Sequence, residues 1–388
     1  MKKNKIVKLC IFILLTFFFL HTQALTRAAY DPLSRPNNKI GIHILTIDEI
    51  NQAADLVNSS GGDWGYITIP IQAYDKDLVK WQEFMNTAKK LHLIPIIRLA
   101  TNGDYFNTAV WEKPDYANIL DFANFLDSLD WPTQNRYVIV YNEVNRGDEW
   151  GGAPNPSEYA NLLAYAVTAF KSKSQNFFVI SAGLDNAADN IPNKSMNEYT
   201  FMQEMNSAVP GIFNQIDGLS SHSYPNPGFA QPPSVLNQKS INSFAFEKQL
   251  AESMSNKKLP VFITETGWSS DKISDSVIGD YYTQSLNSVW NNNNIVTIAP
   301  FLLKAGGGPF AQFSLLSSGG QPNMRYKAIK NFPKVKGQPE ITANKVLGDK
   351  IQKIDLPVKH FEYKEDKSSP EVRTTAAKVF LKWLLNVR

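Results

Sequence analysis

The amino-acid sequence predicts an α/β fold, a closed (β/α)8 barrel of the TIM-barrel type. Between residues 39 and 304, short β-rich runs alternate with amphipathic helical segments, which predicts a parallel sheet with helices outside it. Most of the runs are continuously apolar, as expected for strands that are buried on both faces. Eight such runs can be counted, and a barrel of eight strands typically needs roughly 250 residues.

The eight runs are the expected strands of the barrel. A doubly wound open sheet is the alternative fold, but the first run continues into LTIDE and not into a Gly-rich phosphate loop, so the barrel is favoured. In chain order, the expected strands lie at 39–44, 66–71, 94–100, 137–143, 177–183, 217–224, 261–268 and 297–304.

Helix signals lie between these runs. Thr46 is followed three residues later by Glu49, which predicts a capping box. Asn155 is the expected N-cap of another helix, with Pro156 at its first position. A further segment, 114–129, carries an apolar stripe at helical spacing, formed by Ile119, Leu120, Ala123, Leu126 and Leu129.

The N-terminal segment is typical of an export signal. A Lys-rich start precedes the apolar run Leu9–Leu20, and small residues suited to cleavage follow, with Ala24 as one candidate position. The apolar run has 12 residues, whereas a membrane-spanning helix needs about 20. We therefore expect residues 1–29 to be a signal peptide, with an uncleaved N-terminal anchor as the alternative, and the protein to be secreted or held at the cell surface.

The sole cysteine of the chain, Cys10, lies in this segment. The mature chain would then contain no thiol, which excludes disulfide bonds and cysteine-bound metals.

The C-terminal part forms a separate expected region. The barrel is expected over 30–333, and the C-terminal extension over 334–388. The extension ends in a helical apolar stripe that would pack on the barrel wall or, because its other face is basic, contact a membrane surface or a partner. The stripe consists of Val372, Ala376, Val379, Phe380, Trp383, Leu384 and Val387.

The distribution of charge gives no sign of nucleic-acid binding. The net charge is +3, but residues 1–29 carry +5 and residues 340–388 carry +3, which leaves −5 on the body of the chain. A mildly acidic body lacks the basic surface by which proteins bind nucleic acid.

Polar side chains follow the apolar runs at the expected carboxyl ends of the strands, where barrels of this kind carry their chemistry. A carboxylate at such a partly desolvated position costs free energy unless it is paired or hydrogen-bonded. The residues concerned are His43, Arg98, Asn142, Glu143, Asp185, His222, Tyr224, Glu265 and Lys304.

Two of these residues are carboxylates that can face each other. Glu143 ends the fourth run and Glu265 ends the seventh, so their strands are three apart in a ring of eight. Two facing carboxyl groups are the minimum equipment for glycoside hydrolysis, in which one donates a proton and the other attacks the sugar or activates water. Arg98 and Tyr224 could hold an ionised Glu265.

Other readings of these residues are weaker. Taken singly, Glu143 could be a helix-start charge and Glu265 part of a turn, and Asp185 and Lys304 are expected to be peripheral. Asp148 and Glu149 follow the strand in an exposed-looking turn and are expected to be solvated. The five histidines lack metal-binding spacing, and no Gly-x-Ser-x-Gly motif supports a serine nucleophile, so neither a metal nor another cofactor is expected.

The Asn-Glu pair at the fourth strand and the Glu at the seventh resemble the (β/α)8 glycoside hydrolases of clan A. HSYP at 222–225 and ETGW at 265–268 strengthen the resemblance, which covers roughly residues 39–332. It implies that Glu143 is the acid/base, Glu265 the retaining nucleophile and Asn142 the amide that holds the 2-hydroxyl of the sugar. It further implies that Tyr224 hydrogen-bonds the nucleophile and that His222 lines the same wall.

Aromatic residues near the strand ends suit a sugar ligand, because the C–H face of a pyranose packs on a flat apolar ring. Among them Trp268, three residues after Glu265, is the expected platform, and His43 and Arg98 are expected to line the site.

The sequence thus predicts a retaining glycosidase that cleaves a β-linked oligo- or polysaccharide. Two alternatives stay open: a non-catalytic glycan-binding barrel, and a transglycosylase that uses the same carboxylates. The sugar, its linkage and exo or endo action do not follow from the residues.

Overall fold

The computed structural model describes residues 28–104 and 108–342. Its eight strands lie close to the predicted runs, and several end a few residues earlier. The strands are β1 Gly41–His43, β2 Gly65–Gln72, β3 Leu93–Ala100, β4 Arg136–Ile139, β5 Phe177–Ile180, β6 Leu219–His222, β7 Val261–Thr266 and β8 Ile295–Pro300.

The strands close into a barrel. Strands β1 to β5 pair in parallel in chain order, and so do β6 to β8. Parallel bridges from Ile180 to Gly218 and from Ile40 to Ile298 join the two groups at both seams. The ring is therefore complete, which confirms the predicted (β/α)8 barrel and excludes the open sheet.

A helix follows every strand and packs outside the ring; two follow β5. In the described part of the chain the helices are α1 Ile50–Val57, α2 Leu78–Lys90, α3 Tyr116–Ser128, α4 Pro156–Lys173, α5 Glu198–Ala208, α6 Ile212–Gln215, α7 Ser243–Ser253, α8 Asp275–Asn287 and α9 Met324–Asn331.

The predicted start of α4 is confirmed. The side chain of Asn155 accepts a hydrogen bond from the Glu158 N–H at 3.1 Å, and Pro156 is the first helical residue. This cap satisfies one of the N–H groups that a helix leaves unpaired at its start.

The apolar stripe of α3 needs one correction. Ile119, Ala123 and Leu126 are buried as predicted, but Leu120 is 41% exposed and Phe122 takes its place in the core. Successive helical residues are about 100° apart, so Leu120 points away from the face that Ile119 buries.

Aromatic rings fill the amino end of the barrel interior. Tyr66, Tyr137, Phe178 and Phe262 occupy equivalent early positions on four strands, and their ring centroids lie 5.1 to 6.1 Å apart in successive pairs. Because this end is packed solid, any cavity inside the ring must open at the carboxyl ends of the strands.

Residues 334–342 run along the amino end of the barrel, where Gly337 donates to the Asp63 carbonyl at 2.9 Å and Gln134 donates to the Glu340 carbonyl at 2.7 Å. The predicted export signal, except for residues 28–29, and the C-terminal amphipathic helix lie outside the described residues, so both stay predictions. Within residues 28–104 and 108–342, no helix has the length and apolarity to span a bilayer.

Candidate active site

The segment after β4 places Asn142 and Glu143 at the mouth of the barrel. The strand ends at Ile139, and the chain then turns through positive φ at Tyr141 (69°) and Glu143 (32°). Non-glycine residues rarely adopt such φ values, and those that do concentrate at functional sites. The Glu143 N–H donates to the Gly183 carbonyl at 2.9 Å, which ties the turn to the segment after β5.

Glu143 and Glu265 face each other across this mouth. Glu265 lies within β7, and its carboxyl group shares the site with Glu143 and His222. One oxygen of each carboxylate and a ring nitrogen of His222 all lie within 4.8 Å of one another. The structure therefore brings together the two carboxylates that lie 122 positions apart in the chain.

Donors surround the Glu265 carboxylate. Arg98 Nη1 donates to its Oε1 at 2.6 Å, and the Tyr224 hydroxyl donates to its Oε2 at 3.1 Å. Burial, and then the charge of Glu265, raise the pKa of Tyr224 well above its ordinary value, so the phenol keeps its proton for this bond. Arg98 Nη1 also donates to Asn142 Oδ1 at 2.5 Å.

Glu143 has a different set of partners. His222 Nδ1 lies 3.0 Å from its Oε1, and Arg146 Nη1 donates to its Oε2 at 3.3 Å. Arg146 is itself held by Asp148, at 3.0 and 2.6 Å, and lies 3.6 Å from Asp185. The ion pair with Asp148 therefore balances much of the positive charge of Arg146 and weakens its effect on Glu143.

His222 bridges the two carboxylates. The imidazole is buried, and Nδ1 lies 3.8 Å from Glu265 Oε2 as well as close to Glu143. Burial lowers the pKa of His222, but the charges of Glu265 and Glu143 raise it, and the result lies above the ordinary 6.5. A glycine at 183 makes room for the ring, since a Cβ there would lie 2.2 Å from the His222 Cδ2 atom.

The predicted substrate contact of His43 is wrong. His43 is completely buried behind Glu265, with Nε2 3.6 Å from Oε1, and Phe301 packs edge-on against its ring at 5.1 Å. Burial, followed by the charges of Arg98 and His222, holds its pKa well below the usual value, so the ring is neutral. His43, the last residue of β1, pairs with Thr68, which lies two residues before the partner of Arg98 on β2, so His43 lies deeper in the barrel than Arg98. Phe301 covers the side chain of His43.

The prediction that Trp268 is the sugar platform is also wrong, because Trp268 does not line the cavity. Trp268 is 1% exposed and packs between Tyr282 and Trp290, at centroid distances of 5.1 and 5.9 Å. Its indole N–H donates to the Gln231 carbonyl at 2.8 Å. The chain after β7 passes Gly267 at φ 154° and directs the next side chain into the aromatic core around α8, away from the cleft.

The carboxylates line a cavity of about 290 Å³ at the mouth of the barrel. Its size lies just below the range for small-molecule sites, roughly 300–1,000 Å³. Arg98, Asn142 and Tyr224, which the sequence predicts to bind the substrate, contribute to its wall. Its apolar part is formed by Leu45, Leu99, Tyr141, Phe229, Phe301, Phe310 and Phe313.

The cavity is also lined by Arg146, which the sequence analysis did not name, and by Asp185 and Glu149, which it expected to be peripheral and solvated. Trp111, one of the aromatic residues near the strand ends, lines it as well. Glu149, expected to be solvated, is half-buried because Trp150 packs into the core and turns the segment inward. Burial and the charge of Glu143 raise the pKa of Glu149 to about 7. The same two causes raise that of Asp185 to about 6.

The residues that could bind a metal ion in the described part of the chain are the same two carboxylates and the histidine. Among the described residues, the histidines and acids close enough to share an ion are Glu143, His222 and Glu265 themselves. Their oxygens already accept hydrogen bonds from Arg98, Tyr224 and Arg146.

Comparison with known proteins supports the fold and shows the family. The family described as "glycosyl hydrolase catalytic core" matches residues 101–327, more than half of the chain. No curated protein is similar enough in sequence to count as a relative.

Several solved structures share the fold. A family 39 glycoside hydrolase from Bacteroides cellulosilyticus WH2 is 17% identical with a TM-score of 0.54, over 77% of this chain and 64% of that one. A GH39 β-xylosidase from Caulobacter crescentus is 16% identical with a TM-score of 0.56, over 79% and 72%. GH5_18 from Streptomyces cattleya, solved with GlcNAc, is 12% identical with a TM-score of 0.53, over 76% and 79%. This chain thus spans less than two thirds of the first of them.

Proposed function

The chain belongs to the glycosyl hydrolase catalytic core family, and from that premise we propose that it is a clan A retaining glycosidase that hydrolyses a β-linked glycan by double displacement. Glu265 is the nucleophile and Glu143 the acid/base. A carbohydrate is the substrate, and the two side chains act on its glycosidic bond.

The separation of the carboxylates carries this proposal. An oxygen of Glu143 and one of Glu265 lie within 4.8 Å. Retaining glycosidases place the two groups about 5–5.5 Å apart, whereas inverting enzymes leave about 6.5–9.5 Å for a water molecule between them. The nearest oxygens of the two carboxyl groups thus lie closer together than the inverting range, which favours direct attack by a carboxylate.

In the first step Glu265 attacks the anomeric carbon while Glu143 gives its proton to the departing oxygen. The bond to the leaving sugar breaks as the bond to the Glu265 carboxylate forms. Arg98 and Tyr224 hold one oxygen each of Glu265 in the attacking orientation. Preorganised donors of this kind need no rearrangement during the reaction.

In the second step the ionised Glu143 takes a proton from water, and the resulting hydroxide equivalent displaces Glu265 from the sugar. His222 lies close to both carboxylates, so its imidazole can stabilise whichever of them is ionised at each step. Asn142 contributes a further contact: because its Oδ1 accepts from Arg98, its amide N–H₂ is the group left to donate to a sugar hydroxyl.

The test is reducing-sugar release by the purified protein from a panel of β-glycans, with Glu265→Gln beside the wild type. We expect release from at least one glycan and a fall of at least about 10³-fold in the variant, which keeps the shape of the side chain but is a poor nucleophile. Proton NMR of the first product should show the β-anomer. Release of the α-anomer, or an active Glu265→Gln protein, would sink the proposal.

A further inference from the structure

The proposed chemistry assigns different parts of the substrate to the two sides of the cavity. Because Glu143 delivers its proton to the departing oxygen, the leaving group must lie on the Glu143 side of Glu265. That side is built by the segments that follow β3, β4 and β5. The opposite side, next to β7, is built by the segment after β8.

The β8 side is closed by aromatic rings. Phe301 meets Phe310 and Phe313 at centroid distances of 5.2 and 6.1 Å, and Phe313 meets Phe229 at 5.0 Å. This wall encloses the sugar that bonds to Glu265.

The leaving-group side has a different composition. It presents one indole ring, Trp111, beside the polar side chains of Arg146, Glu149 and Asp185. A flat apolar ring next to hydrogen-bonding groups matches a pyranose, which has an apolar C–H face and a rim of hydroxyls.

Two features hold Trp111 in place. The backbone N–H of Trp111 donates to the Asp148 carbonyl at 2.7 Å, and its backbone carbonyl accepts from the Gly151 N–H at 3.0 Å, so the turn that carries Glu149 holds the backbone of Trp111 on both sides. The indole lies directly on Gly103, where an added Cβ would come within 2.8 Å of the ring. A platform fixed in this way loses little conformational entropy when a ligand stacks on it.

We propose that Trp111 is the platform of a leaving-group subsite, so that the preferred substrate carries a second pyranose ring on the departing side of the scissile bond. Glu149 and Asp185 hydrogen-bond the hydroxyls of that ring. This inference rests on the proposed function, and it adds a substrate class: a disaccharide or longer glycan in preference to a glycoside with a small leaving group.

The experiment compares two kinds of substrate for each sugar, the β-glycosyl fluoride and the β-linked disaccharide. Fluoride is too small to reach Trp111, whereas the second ring of the disaccharide stacks on it. We expect Trp111→Ala to lower kcat/KM for the disaccharide roughly 10- to 30-fold more than for the fluoride, as the loss of an aromatic anchor implies. Trp111→Phe, which keeps a ring, should recover most of the difference.

Tyr74→Ala is the matched control, because Tyr74 is an aromatic residue on a neighbouring loop that is 71% exposed and does not line the cavity. Equal losses on both substrates in Trp111→Ala would mean a structural role and would overturn the subsite. The same holds if Tyr74→Ala changes the ratio as much as Trp111→Ala does. A wild-type protein that turns over neither the disaccharides nor the fluorides would instead contradict the proposed function.

Discussion

Arg98 shows at the residue scale how one side chain organises the site. A single nitrogen, Nη1, donates to Glu265 and to Asn142, which come from β7 and from the segment after β4. The guanidinium and the Glu265 carboxylate are both almost fully buried. A buried charge without its partner is strongly destabilising, so Arg98 supports the fold as well as the orientation of the nucleophile.

Replacing Arg98 by Met should therefore lower the free energy of unfolding by about 3–5 kcal/mol, because Glu265 stays buried without its cation. The measurement is urea denaturation near neutral pH. Lys113→Met removes an exposed ion pair with Glu158 at 3.0 Å and should cost no more than about 1 kcal/mol. Equal losses in the two variants would show that the Arg98–Glu265 pair is not the cause.

At the scale of elements, α4 supports the turn that carries Glu143. The Tyr159 hydroxyl donates to the Val140 carbonyl at 3.1 Å and accepts from the Ala182 N–H at 2.6 Å, where β4 and β5 have already ended. The helix thereby pairs backbone groups that the shortened strands leave free. Its own first turn depends on the Asn155 cap.

Asn155→Ala should cost about 1 kcal/mol of the free energy of unfolding, since the cap of α4 is lost. The control is Asn161→Ala, an exposed position within the same helix, where alanine has the higher helix propensity and no loss is expected. Thermal and urea unfolding measure both. A larger loss at Asn161 than at Asn155 would argue against the cap as a determinant of this element.

At the scale of the whole molecule, buried acids link stability to pH. Glu198 on α5 and Glu247 on α7 are both buried; Glu247 accepts from the Ser221 hydroxyl at 2.8 Å. Neither oxygen of Glu198 has a hydrogen-bond partner within the described residues. Burial, and then the charge of Glu247, raise the pKa of Glu198 well above its ordinary value, and burial raises that of Glu247 to about 7.

An acid with a raised folded-state pKa stabilises the fold fully below its unfolded pKa of about 4.5, and this stability is lost as the pH rises through the folded value. The free energy of unfolding should therefore fall between about pH 4.5 and 7. Glu247→Gln should flatten this dependence, while Glu204→Gln, on the exposed side of α5, should leave it as in the wild type. Urea midpoints across this range give the comparison, and an unchanged slope in Glu247→Gln would refute the link.

The sequence by itself determined the barrel and the positions of its strands. Parallel strands buried on both faces must be apolar along their whole length, so each one leaves a local run that can be counted. The ring of eight then placed the ends of the fourth and seventh strands within reach of each other. Glu143, Glu265, Asn142, Arg98 and Tyr224 could be named for this reason.

Tertiary structure alone decided which side chains line the cavity. The sequence does not distinguish Trp268 from Trp111, since both are tryptophans near strand ends. In the structure, the chain after Gly267 directs Trp268 into the core, while two backbone hydrogen bonds hold Trp111 at the mouth of the barrel. Likewise, the burial of Trp150 turns Glu149 inward, and Phe301 covers His43. These outcomes depend on backbone dihedrals and on packing between distant segments, neither of which leaves a periodic pattern in the chain.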